Sequence, residues 1–407
     1  MMDLLDKYDA LAERRRRMQA LGVETIGVTM ERLLSPTRAV IDGRETILAG
    51  TNNYMGITFD PDCIAAGVKA LQEQGTGTTG SRIANGTYAL HRALEDELAV
   101  FLNRRHVITF STGYQANLGM IAGLAGPGDT VFLDADSHSS IYDGCTLSGA
   151  RLIRFRHNSA GDLDKRLARH DGEGGRLVVL EGIYSMFGDR PPLDEFVDVK
   201  RRHGFALLMD EAHSTGVLGA NGRGLAEEAG LEDDVDFVVG TFSKSFGSIG
   251  GFGASNDPRL DMIRYATRAY MFTASPSPAS IATTLEASRQ LRARPELRDR
   301  LRANSERLYR GFKNLGLDLC CDVVSPVIAV RVADEPSAVT MWQALLKAGV
   351  YVNLALPPGT PINTCLLRCS VSAAHSDEEI DEIIALFARV VAAQAGLPVL
   401  RPSTVAG

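Results

Sequence analysis

Apolar positions in the middle of the chain follow two spacings, one typical of buried strands and one typical of helices. Between residues 90 and 255, short runs that are apolar throughout alternate with segments whose apolar residues recur every three or four positions. A strand that is apolar throughout is buried on both faces, and parallel strands need crossover helices. The pattern therefore predicts an α/β domain with a mostly parallel sheet covered by helices. The predicted strands are 106–110, 130–133, 152–155, 177–180, 205–209 and 237–240.

The flanking segments predict an N-terminal helix and a second, smaller domain. Residues 3–21 have the spacing of an amphipathic helix, and the charged helical stretch 278–315 predicts a connector between domains. Further predicted elements are short strands within 23–60, strands at 327–332 and 366–371, and helices at 337–349 and from residue 377 onward. We therefore predict N-terminal elements over 1–45, a large domain over 46–285 and a small C-terminal α/β domain over 286–407.

The composition of the 407-residue chain excludes several classes of function. Hydrophobic residues make up 45%, charged residues 23%, and the formal net charge is −7. A negatively charged chain has no basic field that would attract nucleic acid, so no nucleic-acid partner is expected. The six cysteines form neither a disulfide framework nor a metal-binding spacing. The sequence also lacks a secretory signal and a membrane-spanning run. We expect a cytoplasmic protein without a metal, and peripheral membrane contact through the N-terminal helix stays open.

Chemically useful side chains follow three of the predicted strands, at the point where each strand ends. The carboxyl ends of parallel strands meet at one edge of an open α/β sheet, which is where such sheets bind ligands. A glycine turn that leads into a helix also leaves backbone N–H groups free to bind a phosphate. The three strand ends carry Gly113 and Tyr114, then Asp210 and His213, and then Thr241, Ser243 and Lys244.

This combination meets the chemical requirements of pyridoxal 5′-phosphate (PLP). A lysine must bond to the cofactor aldehyde, a carboxylate must keep the pyridine nitrogen protonated, and a cradle must hold the phosphate. We predict Lys244 for the first task and Asp210 for the second. His213, three residues after Asp210, is placed to contact the ring hydroxyl. The predicted phosphate cradle consists of Gly113, Tyr114, Thr241 and Ser243.

Longer motifs around these residues resemble the α-oxoamine synthases, a family of PLP enzymes. The resemblance runs from about residue 30 to residue 395. It implies a fold-type I, aminotransferase-like α/β fold, PLP as cofactor, and a homodimer with shared active sites. It also implies the decarboxylative condensation of an amino acid with an acyl thioester. The motifs are Asn53-Tyr54-Met55-Gly56, Ser111-Thr112-Gly113-Tyr114, Asp134-Ala135-Asp136-Ser137-His138, Glu181-Gly182-Ile183-Tyr184-Ser185-Met186, Asp210-Glu211-Ala212-His213-Ser214 and Thr241-Phe242-Ser243-Lys244.

The resemblance implies three catalytic residues. Lys244 would remove the α-proton of the amino acid, and Asp210 would keep the cofactor ring protonated. His138 would stack on the pyridine ring, contact the substrate carboxylate and polarise the acyl carbonyl. With the family set aside, a core histidine is the alternative for His138, and the functional role is still preferred for it.

The resemblance also implies binding roles for residues that the sequence alone does not single out. Asn53 and Arg368 would hold the carboxylate of the amino acid. Ser185 would lie beside the cofactor ring. Thr273 and Ala274 would reach the phosphate of the neighbouring subunit's cofactor, which makes the predicted active site a shared one. With the family set aside, structural roles are preferred for these residues, namely a helix cap, a strand-end threonine and a surface arginine.

Within the family, four stretches are most similar to bacterial members that use L-serine and a palmitoyl thioester. They lie at 52–56, 134–144, 154–158 and 357–361. The expected partners are thus L-serine and an acyl-CoA or an acyl carrier protein thioester. The expected product is 3-ketodihydrosphinganine, the first intermediate of sphingolipid synthesis. Leu356 departs from the pattern, since some bacterial members have an arginine there that would give a second carboxylate contact.

Three alternatives stay open on the sequence alone. Glycine or alanine with an acetyl, succinyl or pimeloyl thioester would give a 2-amino-3-ketobutyrate CoA ligase, a 5-aminolevulinate synthase or an 8-amino-7-oxononanoate synthase. An aminotransferase or a threonine aldolase uses the same fold, but aminotransferases commonly stack an aromatic residue on the ring where this chain has His138. A non-catalytic partner subunit is the third alternative, and the presence of Lys244 argues against it.

Overall fold

The computed structural model describes residues 3–22, 27–357, 359–361 and 363–393, and helices and strands alternate along most of them. The strands are β1 (Arg32–Ser35), β2 (Arg38–Ile41), β3 (Arg44–Leu48), β4 (His106–Phe110), β5 (Thr130–Asp134), β6 (Arg151–Phe155), β7 (Arg176–Glu181), β8 (Ala206–Asp210), β9 (Phe237–Thr241), β10 (Gly251–Ser255), β11 (Val327–Val332), β12 (Val350–Tyr351), β13 (Asn353–Ala355) and β14 (Cys365–Ser370). The α-helices are α1 (Asp9–Ala20), α2 (Pro61–Gln74), α3 (Ala89–Phe101), α4 (Gly113–Leu124), α5 (Ser139–Ser148), α6 (Ala160–Ala168), α7 (Leu193–His203), α8 (Leu225–Glu228), α9 (Ile263–Ala266), α10 (Arg268–Met271), α11 (Pro278–Ala293), α12 (Glu296–Asn314), α13 (Glu335–Ala348) and α14 (Asp377–Ala393).

The large sheet contains all six strands predicted between residues 90 and 255. Its order is β4-β10-β9-β8-β7-β5-β6, and the pairs β9-β8, β8-β7, β7-β5 and β5-β6 are parallel. Buried side chains cover both faces of the central strands, for example Leu207 and Leu208, which are fully buried. Helices connect the parallel strands because each crossover must return the chain to the end of the sheet where the next strand begins. The predicted α/β fold is therefore confirmed.

Strand β10 was not predicted, and it is antiparallel to both of its neighbours, β4 and β9. Its sequence is glycine-rich, which favours a loop on sequence grounds. The glycines are needed because helix α4 lies very close. A Cβ atom on Gly251 would lie 2.7 Å from the Cα atom of Gly113, which no real side chain tolerates. The glycine-rich stretch is thus a strand that lets the start of α4 approach the sheet.

Strand β6 corrects the prediction that every strand of the sheet is buried on both faces. It is the last strand of the sheet and pairs only with β5. Arg151 and Arg154 are exposed, and Leu152 is 39% exposed. Charged side chains on an edge strand oppose pairing with another chain, so this pattern is the usual one for an edge.

The predicted connector at 278–315 is divided into two helices near Pro295. Helix α11 packs against α2 and α3 and so helps to cover the large sheet. Helix α12 instead packs against α14, where the rings of Phe312 and Phe387 lie 4.4 Å apart. The two helices therefore contribute to different layers of the protein.

The C-terminal part forms a separate sheet of β11, β14 and β13, and β12 extends the N-terminal sheet of β1, β2 and β3. The N-terminal helix α1 is present as predicted, and its Met18 packs against Val339 with Leu356 alongside. Leu356 therefore supports this contact. Of the predicted motif at 357–361, Pro358 lies outside the described residues, as does the C-terminal stretch 394–407. No helix within the described ranges is long and apolar enough to cross a membrane.

Candidate active site

A cavity of about 330 Å³ opens where β8 and β9 end and α4 begins. This is the edge of the sheet that the sequence predicted for a ligand. The structure brings eight predicted residues to its wall, whereas Ser185, Asn53, Arg368, Thr273 and Ala274 lie outside the wall. The eight residues are Gly113, Tyr114, His138, Asp210, His213, Thr241, Ser243 and Lys244.

One end of the cavity is built to bind an anion. Thr112 caps helix α4 by accepting a hydrogen bond from the backbone N–H of Gln115 at 3.0 Å. The N–H groups of Gly113 and Tyr114, at the first turn, donate to no acceptor among the described residues. Such free N–H groups at a helix N-terminus attract a phosphate. The hydroxyls of Thr241 and Ser243, 2.9 Å apart, complete this end.

Gly113 is required at this turn for a steric reason. A Cβ atom there would lie 2.7 Å from the Cβ atom of Thr241 and 2.8 Å from its hydroxyl oxygen. Any larger residue would therefore separate the start of α4 from the end of β9. The glycine thus keeps the free N–H groups and the hydroxyls of the anion site together.

The carboxylate of Asp210 lies in the cavity wall at the end of β8 and is only 4% exposed. Its Oδ1 accepts from the backbone N–H of Ala212 at 2.9 Å, and its Oδ2 accepts from the side-chain amide of Asn117 at 2.7 Å. It forms no ion pair with another described residue. A buried carboxylate that contacts no cation is costly, so the arrangement favours a ligand that brings a positive charge to Asp210.

His138 lines the same cavity from the N-cap position just before helix α5. Its backbone N–H donates to Oε1 of Glu181 at 2.5 Å, which ties the loop before α5 to the end of β7. Although His138 is exposed to solvent on one side, desolvation of the ring by the cavity wall and the charge of Lys244 lower the pKa of its imidazole, and Asp210 opposes this. Burial and the nearby Asp210 raise the pKa of Glu181 well above its usual range. His138 is therefore neutral near pH 7.

Lys244 reaches the cavity from the turn after β9. Burial lowers its pKa to about 8, with Arg368 acting in the same direction and Asp210 and Glu181 against it. His213 is buried and hydrogen-bonded through Nδ1 to the hydroxyl of Tyr54 at 2.6 Å. Burial and the charges of Lys244 and Arg368 lower the pKa of His213 well below its usual range. The cavity thus contains an amine that can lose its proton near neutral pH and a neutral second imidazole.

Arg368, on β14, is a buried guanidinium close to the cavity. It is 5% exposed and donates to the backbone oxygen of Ser185 at 2.6 Å and to Oδ1 of Asn52 at 3.3 Å. No carboxylate of the described residues pairs with it. Neighbouring Asn53 is also buried, and its Oδ1 has no partner within the described part of the chain. A buried cation without an anion is the arrangement expected for a substrate carboxylate.

Thr273 and Ala274 lie beside the start of α4 in their own chain. The hydroxyl of Thr273 accepts from the side-chain amide of Gln115 at 3.0 Å, and the backbone oxygen of Ala274 accepts from the Ser111 hydroxyl at 2.5 Å. They thus contact the segment that forms the anion site without lining the cavity. Their predicted contact with a neighbouring subunit's cofactor stays a prediction.

A charged histidine fixes the loops on which His138 and Ser185 lie. His157 bridges Asp134 and Asp189, with 2.7 Å between each ring nitrogen and the carboxylate oxygen that it contacts. Although burial opposes the charge, these two hydrogen bonds raise the pKa of His157 to about 10. At neutral pH the imidazole is therefore charged, and both nitrogens donate. The bridge holds the loop after β5, which leads to His138, against the loop after β7, which contains Ser185.

Several residues of the site were missed by sequence reasoning. Asn117 lies four residues after Gly113 on α4, so helical spacing could have placed it on the same face. Ser140 follows His138 by two residues at the start of α5, and both residues line the cavity. Glu181 ends its strand opposite Asp210, and their Cα atoms are paired in the sheet. Asn52, which contacts Arg368, carries no comparable signal in the sequence.

The donor and acceptor groups of the cavity fit PLP. Free N–H groups and two hydroxyls can hold a dianionic phosphate, and the uncompensated Asp210 can hold a protonated pyridine nitrogen. Lys244 supplies the amine that bonds to the aldehyde. The steric requirement at Gly113 keeps the free N–H groups at the start of α4 next to the hydroxyl of Thr241, as a shared phosphate site needs.

Comparisons with known proteins agree with this chemistry. The family model for aminotransferase class I and II matches residues 45–387. A serine palmitoyltransferase (SPT) of Caulobacter vibrioides (strain NA1000 / CB15N) is 55% identical over 96% of this chain and 97% of its own length. The solved serine palmitoyltransferase of Sphingomonas wittichii is 53% identical, covering 98% of this chain and 100% of that one, with a TM-score of 0.95. A high-resolution structure of SPT with PLP is 50% identical over 97% of this chain and 100% of that chain, also with a TM-score of 0.95.

Proposed function

Since the chain belongs to the aminotransferase class I and II family and, within it, to the α-oxoamine synthases, we propose that it catalyses the serine palmitoyltransferase reaction. The predictions of the family, the fold-type I fold and PLP as cofactor are confirmed by the matches over nearly the whole chain. The chain is a decarboxylating acyltransferase. L-Serine and palmitoyl-CoA would give 3-ketodihydrosphinganine, CO2 and free coenzyme A. One C–C bond forms, while the thioester C–S bond and the bond to the serine carboxyl carbon break.

The observation that carries this proposal is a pair of buried, uncompensated charges near one amine. Asp210 and Arg368 are 4% and 5% exposed, neither has an ion-pair partner among the described residues, and both affect the pKa of Lys244. Asp210 suits a cationic ring nitrogen, and Arg368 suits a substrate carboxylate. A protein that bound only the cofactor would have no use for the second charge. The proposal therefore includes binding of an amino acid.

Three polar residues of the cavity, Asp210, Lys244 and His138, have catalytic tasks in this chemistry. Bound in the cavity, PLP supplies an electron sink for the α-carbon of an amino acid. Asp210 would hold a proton on the pyridine nitrogen, and Lys244 would take the proton from the α-carbon of the substrate. A pKa of about 8 suits Lys244 to this task, because an amine of this pKa both accepts and returns a proton near neutral pH. His138 donates a hydrogen bond to the substrate carboxylate and then to the acyl carbonyl oxygen.

Arg368 and Asn53 would orient the amino acid. Four of the five guanidinium N–H groups already donate, to the backbone oxygen of Ser185, twice to Oδ1 of Asn52 and to the Ser370 hydroxyl. The remaining N–H, on Nη2, would donate to a carboxylate. The side-chain nitrogen of the buried Asn53 donates one hydrogen to the Thr58 hydroxyl at 2.8 Å, and its second hydrogen would donate to the carboxylate. The family resemblance further implies that Ser185, whose backbone oxygen accepts from Arg368, would lie beside the cofactor ring. These roles stay proposals for this chain.

The choice of substrates is tested by product analysis. Purified enzyme is offered L-serine, glycine or L-alanine, each with palmitoyl, acetyl, succinyl or pimeloyl thioesters, and products are identified by mass spectrometry. A long acyl chain gains about 0.8 kcal/mol per buried methylene, so strong discrimination is attainable. We expect L-serine with palmitoyl-CoA to exceed every short-chain pair by at least about tenfold. Faster turnover of glycine or alanine with a short thioester would favour the other family members, and no turnover with any pair would favour a non-catalytic subunit.

A homodimer with shared active sites is part of the proposal. The segment before Thr273 exposes large apolar side chains, with Met262 57%, Tyr265 64% and Phe272 76% exposed. Exposed apolar groups of this kind are typical of a surface that another subunit covers. Thr273 and Ala274 would then complete the phosphate site of the partner. An acyl carrier protein thioester is the alternative acyl donor to palmitoyl-CoA, and the cytoplasm is the proposed location.

Mixed dimers test the shared site. A Lys244→Ala variant and a Thr273→Tyr variant are each expected to be nearly inactive. Because one site of the hybrid dimer would receive an intact Lys244 and an intact Thr273, mixing the two should restore activity, up to about a quarter of the wild-type rate for random exchange. Activity of the mixture is measured after subunit exchange. A Thr273→Tyr variant that stays fully active, or a fully active monomer in sedimentation, would contradict the shared site.

A further inference from the structure

A chain of hydrogen bonds connects the cavity carboxylate Asp210 to the His138 ring. Asn117 and Ser140 lie between them and are 3% and 1% exposed. The side-chain nitrogen of Asn117 is 2.7 Å from Oδ2 of Asp210 and 2.9 Å from the Ser140 hydroxyl oxygen. That hydroxyl oxygen is in turn 2.8 Å from Nδ1 of His138. The four side chains come from α4, β8 and the start of α5, so the chain of contacts exists only in the folded protein.

The orientation of the Asn117 amide is fixed by its neighbours. An amide nitrogen has two hydrogens and accepts nothing, so Asn117 donates one hydrogen to Asp210 and the other to Ser140. The reversed amide would put its oxygen 2.7 Å from the Asp210 carboxylate oxygen, where two acceptors repel. The Oδ1 atom of Asn117 is buried without a partner among the described residues. An unpaired buried oxygen is costly, and its presence indicates that the amide is held for its two donors.

Assigning donors and acceptors in the same way determines which nitrogen of the His138 ring carries the proton. The Ser140 hydroxyl accepts from Asn117 and so has its own hydrogen free for Nδ1 of His138. The backbone N–H of Ser140 also donates to Nδ1, at 3.2 Å, and a backbone N–H cannot accept. Two donors therefore point at Nδ1, which must be unprotonated. The neutral ring then carries its only proton on Nε2.

We propose that Asn117 and Ser140 are positioning residues that hold His138 as the neutral tautomer with the proton on Nε2, and that they join its orientation to the Asp210 carboxylate. This inference rests on the proposed function, since it explains how His138 can donate to a substrate oxygen. Without these contacts the ring would populate both tautomers, and for part of the time an unprotonated Nε2 would face the substrate. The orientations of the Asp210 carboxylate and the His138 ring are thus fixed together rather than independently.

Other charged groups around His138 do not replace this arrangement. Lys244 and burial favour the neutral ring, Asp210 favours the charged ring, and Glu181 contacts only the backbone N–H of His138. These long-range effects change the total charge of the ring but do not distinguish Nδ1 from Nε2. The choice between the two nitrogens comes from the donors of Ser140.

The tautomer is tested directly by nuclear magnetic resonance. Holoenzyme labelled with [¹⁵N]histidine is measured without substrate, and the His138 signals are assigned by their loss in His138→Asn. We expect wild-type His138 to be protonated at Nε2 only. Ser140→Ala should raise the pKa of the ring by about half a unit to one unit, since one donor to Nδ1 is lost. Ser139→Ala is the matched control, because Ser139 is the exposed neighbour of Ser140 and should change neither property.

A double-mutant cycle tests whether the two residues act as one unit. We expect Asn117→Ala and Ser140→Ala each to lower kcat/KM for L-serine by about tenfold, and the double variant to lose about tenfold rather than a hundredfold. Additive losses, a wild-type His138 protonated at Nδ1, or an equal effect of Ser139→Ala would overturn the proposal. The wild-type tautomer decides even if a variant does not fold. It is also independent of which acyl thioester is turned over, so a different substrate would change the proposed function and leave this result intact.

Discussion

Replacing Lys244 with alanine is expected to abolish turnover and the covalent attachment of PLP. Lys244 lines the cavity together with Thr241 of the anion site and the carboxylate of Asp210. Its loss removes both the amine that bonds to the aldehyde and the base for the α-proton, and general-base catalysis alone contributes about 10²- to 10⁴-fold. The variant should still bind the cofactor through the anion site. Borohydride reduction followed by tryptic mass spectrometry measures the attachment, and product formation measures the turnover.

The control for Lys244→Ala is the same substitution at an exposed lysine. Lys69 lies on an exposed face of α2, and Lys69→Ala should keep the wild-type adduct and the wild-type rate. In wild-type protein the reduced adduct should map to the tryptic peptide that contains Lys244. An adduct on any other lysine, or a Lys244→Ala variant with more than a tenth of the wild-type rate, would remove Lys244 from the centre of the mechanism.

Buried strands of the sheet could be predicted because local sequence determines them. A run such as Val131 to Leu133 is apolar at every position and is bounded by helix-length segments, which is typical of a strand with helices on both faces. Strand β10 could not be predicted in this way, since Gly251 and Gly253 are there to avoid a clash with α4 rather than to fill a core. The exposure of β6 could not be predicted from the apolar pattern either, because its edge position depends on the order of the strands in the sheet.

Some residues of the candidate site could likewise be inferred from local sequence, and others could not. Asp210 and Lys244 directly follow strands or turns at the ligand edge, so their positions relative to the sheet could be inferred from sequence. Arg368 meets the backbone oxygen of Ser185, which is 183 residues away in the chain, and only the resemblance to a family pointed to it. Asn117 and Asp210 are 93 residues apart and were not connected by any local pattern. Contacts between distant elements arise from packing, which a single sequence does not display.

Asp210→Asn is expected to preserve the fold and to lose most of the turnover. Asparagine has nearly the shape of aspartate, but it carries no charge to hold a proton on the pyridine nitrogen. The electron sink would weaken, and we expect kcat/KM for L-serine to fall by at least about a hundredfold, equivalent to about 2.7 kcal/mol of transition-state stabilisation. The new amide would also bring a hydrogen-bond donor towards Asn117 or Ala212, which already donate to this carboxylate. We therefore expect a loss of stability of about 1–3 kcal/mol, measured by denaturant unfolding alongside the kinetics.

The matched control changes the same chemical group where no charge is needed. Asp334 caps helix α13 by accepting from the backbone N–H of Ser337 at 2.8 Å, and asparagine caps a helix about equally well. Asp334→Asn should therefore leave both the turnover and the free energy of unfolding close to wild type. If Asp210→Asn turned over L-serine within about threefold of the wild-type rate, the carboxylate would not be needed for the electron sink. The uncompensated charge at the end of β8 would then have to serve cofactor binding alone, which a weaker affinity for PLP at unchanged kcat would reveal.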